Sequence, residues 1–174
     1  PGSPQNHGRQ FAGRRGLDAV TDFEDILDLL DKHGVKYLII GGLAFIYHAK
    51  PRYTKDMDLW IEPSQENVLL ANRALVEFGS PYLLDASKPE DILQLGLPPD
   101  RIDFFLSIDG PAFETAWQKR IQGTYGRAKA NWIAIDSLIS IKSRIDQPRH
   151  EEDVRVLSEV RDRHRSKPRK PEHS

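Results

Sequence analysis

Apolar positions recur at helical spacing through Phe23, Ile26, Leu27 and Leu30 and stop at Gly34. Thr21 and Glu24 stand at capping-box spacing just ahead, so a first helix is predicted to begin at Thr21. The pattern then changes. Val35 to Ile40 is a β-branched and aromatic run that stops at Gly41-Gly42, and Leu43 to Ala49 is a short apolar stretch: a strand, a glycine turn and a helix.

From Asp56 to Glu62 the chain alternates, with Met57, Leu59 and Ile61 on one face and Asp56, Asp58, Trp60 and Glu62 on the other. That predicts a strand with carboxylates on one side. Ser64 to Phe78 reads as a long helix closed by Gly79, and Ser87-Lys88-Pro89-Glu90 reads as the start of a short helix to Leu95. Arg101 to Leu106 alternates again, with Ile102, Phe104 and Leu106 opposite Arg101, Asp103 and Phe105. Pro111 to Lys119 is expected as a helix, Asn131 to Ile135 as a strand, and the chain from Asp136 as a helix presenting Leu138, Ile141 and Ile145. A last helix is expected near Glu151, with Val154, Leu157 and Val160, and the pattern fades from Arg161. Together these predict an α+β fold: one sheet, helices over it, and a C-terminal helical segment.

Composition sets the limits on chemistry. In 174 residues there is no cysteine, so disulfides, thiolate metal sites and thiol nucleophiles are excluded. Hydrophobic residues make 39% of the chain, and no apolar run approaches the roughly 20 residues that span a membrane. With no charged-then-apolar leader, a cytoplasmic setting is the expectation. Residues 1–20 have no apolar periodicity and are expected to be a flexible segment, with Pro1-Gly2-Ser3 reading as an expression scar. Residues 21–160 form the expected domain, and 161–174 a basic flexible tail. The net charge of −1 hides a body of about −7 between two positive ends, a poor general surface for nucleic acid.

Two aspartates two apart on a strand project from one face and can share a metal ion; carboxylate and phosphate oxygens are the ligands Mg²⁺ prefers. Alone, Asp56-x-Asp58 is equally a solvated strand end. It gains meaning from Gly41-Gly42, between a strand and a helix, where a phosphate can approach backbone amides and the positive helix end. Lys50, Arg52 and Lys55 lie between the two features. Asp103 supplies a third carboxylate if its strand pairs beside the first, or is simply a salt-bridge partner for Arg101.

These residues resemble a known family. Gly41-Gly42-Leu43-Ala44-Phe45, thirteen residues from Gly42 to Asp56-Met57-Asp58, Arg101-Ile102-Asp103-Phe104-Phe105 and Asp136-Ser137-Leu138-Ile139-Ser140-Ile141-Lys142 together are similar to the nucleotidyltransferase superfamily related to DNA polymerase beta, especially its small bacterial members. The resemblance covers residues 23–157. It implies a mixed-sheet core in which Asp56, Asp58 and Asp103 hold Mg²⁺, two ions in the usual scheme, with Asp103 as general base. It also implies that Gly41, Gly42 and Lys55 bind the phosphates and that Lys142 stands near the triphosphate. Lys142 read alone is equally an exposed helix lysine. Near the last helix the chain departs from the pattern: Asp153 fits an expected acid, or serves the helix dipole, while Gln147 and His150 do not fit their positions.

Other residues have plainer readings. His48, without a second histidine at ligand spacing, reads as a packing or surface residue; Trp60 as a base-stacking group or a core aromatic; the tail as a solvated end or an RNA contact. The resemblance implies a Mg²⁺-dependent enzyme moving a nucleoside monophosphate from an NTP to a hydroxyl on RNA, protein or a small molecule. Some relatives are toxins with a cognate antitoxin or defence enzymes. The alternative is a catalytically silent nucleotide-binding or regulatory module of the same fold.

Overall fold

A computed structural model describes residues 19–54 and 56–167. Among them are α1 (Ala19–Lys32), β1 (Tyr37–Ile40), α2 (Gly41–His48), β2 (Asp56–Ile61), α3 (Gln65–Phe78), β3 (Leu93–Leu95), β4 (Arg101–Phe105), α4 (Phe113–Gln118), β5 (Ile121–Tyr125), β6 (Ala128–Trp132), α5 (Ile135–Lys142) and α6 (Pro148–Arg165). The strands form one mixed sheet in the order β3-β4-β2-β1-β6-β5. β1 runs antiparallel to β2 and parallel to β6, while β2 and β4 are parallel. The α+β expectation holds. No described helix is long and apolar enough to cross a membrane.

Alternation on β2 splits the molecule into two halves. Met57, Leu59 and Ile61 are fully buried on one face, where α3 packs on β2 and α1 packs on α3 and β6. The apolar stripe of α1 (Phe23, Ile26, Leu27 and Leu30) is buried there. Gly34, at φ 68°, ends this helix, and the Val35 amide returns to the Leu30 carbonyl at 3.0 Å. α3 starts at Ser64, whose hydroxyl accepts from the Asn67 amide at 3.2 Å, and stops at left-handed Gly79. Asn67 is itself buried: its Oδ1 accepts from the Lys36 amide at 2.9 Å, and its Nδ2 donates to the Lys36 and Glu62 carbonyls at 3.0 and 2.8 Å. On the opposite face lie Asp56 and Asp58, with α2, α5 and α6 clustered beside them.

Several expectations are corrected. α1 begins at Ala19, so Thr21 lies inside the helix, and Glu24 reaches instead to the Arg127 amide at 2.7 Å. That bond holds the two-residue turn of the β5–β6 hairpin, where Gly126 has φ 56°. Residues 87–95 are not a helix. Asp85 accepts from the Ser87 amide and hydroxyl, making a turn, and Leu93 and Leu95 are buried on either side of exposed Gln94 as β3, an edge strand on β4. The strand expected at 131–135 is β6, shifted to Ala128–Trp132, and β5 beside it was not anticipated. α5 ends at Lys142, leaving Ile145 outside it. α6 starts at Pro148 and does not fade at Arg161: Arg161 and Arg165 pair with Asp136 at 3.3 and 3.2 Å. The segment before Ala19 and the tail beyond Lys167 lie outside the described residues.

Candidate active site

Strand register builds the acidic wall of the site. In the parallel β2–β4 pair, Asp58 stands opposite Asp103 and Asp56 opposite Arg101, so alternation puts all four side chains on one face. One carboxylate oxygen from each of Asp56, Asp58 and Asp103 lies within 4.8 Å of the others. Arg101 spans the group. Its Nη2 donates to Asp56 at 2.7 Å and to Asp103 at 3.2 Å, and its Nε lies 3.0 Å from the second Asp103 oxygen. The salt bridge expected as the alternative role of Asp103 is therefore present together with the cluster.

Burial and the neighbouring acids push the Asp58 carboxyl up to about 7, and it shares a hydrogen bond with Asp103. Asp103 is also raised, chiefly by burial, against the opposing pull of Arg101. Three clustered carboxylates offer hard oxygen donors, and burial makes Asp58 and Asp103 resist ionisation without a cation beyond the guanidinium already there. The donor set fits Mg²⁺.

The glycine turn touches this wall directly. Ile40 pairs with Asp58 across β1 and β2, and Gly41 follows at φ 68° as the first residue of α2. A Cβ on Gly41 would land on the Asp58 carboxylate, and one on Gly42 would meet Thr54 Oγ1 at 2.7 Å. At Gly41 the backbone thus lies against Asp58 in space that a side chain would fill. Lys55 lies outside the described residues.

A cleft of about 390 Å³ opens from Gly41 and Asp58 to α5 and α6. Lys142 and His150 line it, together with Phe105 at the end of β4 and Ser107, Ile108 and Asp109 after it. Lys142 is not the exposed helix lysine of the plainer reading: it is buried, and its Nζ donates to Asp153 at 2.8 Å. The other Asp153 oxygen accepts from Arg52 Nη1 at 2.6 Å, and the Arg52 guanidinium lies 3.9 Å from the centre of the Phe45 ring. Burial pulls the Lys142 amine down; the two cations, opposing burial, leave Asp153 lowered overall.

Comparison with solved structures identifies the architecture. A crystal structure of ANT(2'')-Ia in complex with adenylyl-2''-tobramycin aligns with a TM-score of 0.51 over 84% of this chain and 97% of that one, at 15% identity. The chain has the nucleotidyltransferase fold. A solution structure of the same antibiotic-resistance factor aligns at 0.51 over 84% and 91%, again at 15% identity. A nucleotidyltransferase-like protein from Paracoccidioides brasiliensis reaches 0.49 over 83% and 76% at 15% identity, too loose to carry weight. No protein-family model matches the chain, and no curated protein matches it.

Within this nucleotidyltransferase fold, Gly41, Asp58 and Lys142 line one cleft and Asp56 and Asp103 cluster with Asp58, while Gly42 lies against Thr54. The pairing of Arg52 with Asp153, and the arrival of His150, were not anticipated. Their signal was limited to a basic loop and to the departures before the last helix. His48 and Trp60 stay with their plainer readings: His48 Nε2 bonds the Ile133 carbonyl at 2.7 Å, and Trp60 is buried edge-on against Phe113.

Proposed function

We propose that the protein is a Mg²⁺-dependent nucleotidyltransferase that moves a nucleoside monophosphate from an NTP to a hydroxyl acceptor. The observation that carries this reading is the convergence of Asp56, Asp58 and Asp103 beside the Gly41-Gly42 turn. Those aspartates would hold Mg²⁺, two ions by the usual count, which supplies charge neutralisation at the phosphoryl oxygens. Gly41 and Gly42 offer backbone amides to the phosphates, and Lys55 and Lys142 supply positive charge near them. Asp103, its carboxyl raised by burial, accepts the acceptor's proton as the hydroxyl oxygen bonds the α-phosphorus and pyrophosphate departs.

The neighbour crystallised with an adenylyl-tobramycin makes a small-molecule acceptor one candidate. RNA or protein acceptors, a toxin or defence role and a cognate antitoxin belong to the same reading, as does a cytoplasmic setting where NTPs are supplied. A silent nucleotide-binding module is the second reading. The bridge from Arg101 to Asp56 and Asp103 favours it, since that guanidinium engages two of the three acids.

Label transfer decides between them. Incubation with each α-labelled NTP, Mg²⁺ and a cell extract is expected to label one acceptor. The Asp56→Ala, Asp58→Ala double variant is expected to lose roughly a thousandfold or more while keeping its circular dichroism spectrum. NTP binding by calorimetry without transfer would support the silent module, and absence of binding would remove the nucleotide site altogether.

A further inference from the structure

His150 stands on the first turn of α6 and lines the same cleft as Asp58, Gly41 and Lys142. Two of the neighbouring basic groups already have a counter-charge: Lys142 and Arg52 divide the two oxygens of Asp153 between them. The Nδ1 of His150 is buried and has no hydrogen-bond partner. Such an orphan polar atom beside a cleft needs an explanation, and a ligand is one. No side chain caps α6, but its first turn is closed by backbone: the Gln147 carbonyl accepts from the His150 and Glu151 amides at 2.9 and 3.2 Å, and Pro148 has no amide to offer. An imidazole with an unpartnered nitrogen and a buried lysine thus line the same cleft as Asp58.

We propose that His150 is a cationic contact for the terminal phosphates of the bound nucleotide, and that it takes up one proton from solvent as the polyphosphate enters. This rests on the nucleotide-site reading above. Without a ligand the imidazole is held low by burial first. Lys142 on α5, Arg149 beside it on α6 and Arg52 from the segment before β2 add to that, opposed by Asp153. Asp58, Glu90 and Asp109 line the same cleft as further acids. A polyphosphate brings several negative charges to the side where cations dominate, which reverses the balance at His150. Only an N–H bond forms, so between the free and bound midpoints binding takes up as much as one proton. The protonated ring then loses its anion when pyrophosphate leaves.

The test follows the histidine ring resonances of the full chain from pH 5 to 8.5 with Mg²⁺, with and without inorganic pyrophosphate as the probe. The resonance lost in His150→Gln identifies the residue; triple-resonance assignment of the unaltered protein serves if that variant does not fold. The expected result is a midpoint below the ordinary histidine value of about 6.5 in the free protein, rising by about one unit or more with pyrophosphate. In His150→Gln, pyrophosphate affinity is expected to be roughly tenfold weaker at pH 6 and to converge with the parent by pH 8.5. If calorimetry shows pyrophosphate binding while the His150 midpoint stays fixed, this proposal falls and the nucleotide site stands. If pyrophosphate does not bind at all, both fall.

Discussion

The three clustered aspartates come from two hydrogen-bonded strands and share a face because Asp58 pairs with Asp103. The cations opposite them come from separate segments, with Arg52 and Asp153 lying 101 positions apart in the chain. The two arrangements also differ in energy. On the acidic side, like charges are crowded beyond what one guanidinium neutralises, and Asp58 responds by keeping a proton up to about pH 7. On the cationic side a single carboxylate serves two cations, and Asp153 and Lys142 are nearly inaccessible, at 3% and 4% side-chain exposure. One wall crowds like charges that a cation can neutralise, while in the other the charges of Lys142, Arg52 and Asp153 are already paired.

The largest break in this comparison is expected from Asp153→Ala, which leaves buried Lys142 without its partner. Urea unfolding is expected to show a loss of about 3 to 5 kcal/mol, with much of it restored in the doubly apolar Asp153→Leu, Lys142→Met protein. The opposite response is expected on the acidic wall. The folded carboxyl of Asp58 titrates near 7 and its unperturbed value is 3.8, so the native state binds more protons between these limits. In chelated, metal-free buffer, the Asp58 contribution to stability is therefore full below about pH 4 and declines by about 2 to 4 kcal/mol as pH rises through 7. Asp58→Asn is expected to flatten that decline and to be more stable than the parent at pH 8, as denaturant midpoints across the range will show. The smallest effect is expected where the glycine turn meets the acids: Gly41→Ala places a Cβ against Asp58 at a positive φ and is expected to cost about 1 to 3 kcal/mol. A loss of Mg²⁺ affinity in the same variant would tie that turn to the acidic wall.

The same contrast separates what the sequence made legible from what it hid. Alternation around Asp56, Asp58 and Asp103 put each acid on a polar strand face, because a period of two is a local property. Their mutual register was not visible, yet parallel pairing of two such strands leaves few alternatives. The Lys142–Asp153–Arg52 tie had no local signature: each residue alone resembles an ordinary surface charge, and only folding joins them. Ser87 to Leu95 misled for a related reason. Its Ser-Lys-Pro-Glu opening is a genuine helix signal, but Leu93 and Leu95 gain more by covering β4 as a strand. β5 escaped notice because its positions are largely exposed and Gly123 interrupts it, as suits a sheet edge.

Asn67, far from the cleft, bears on which way its acids point. With one amide group it clasps the start of β1 and the end of β2 through three hydrogen bonds. A slip of one position between those strands would rotate Asp56 and Asp58 into the packed layer beneath α3 and bring Met57 and Leu59 to the cleft. Any such slip would also break the Asn67 clasp. Asn67 therefore acts as an indexing pin: it has no part in the chemistry, but during folding it helps ensure that the molecule turns the right side of β2 toward its ligand.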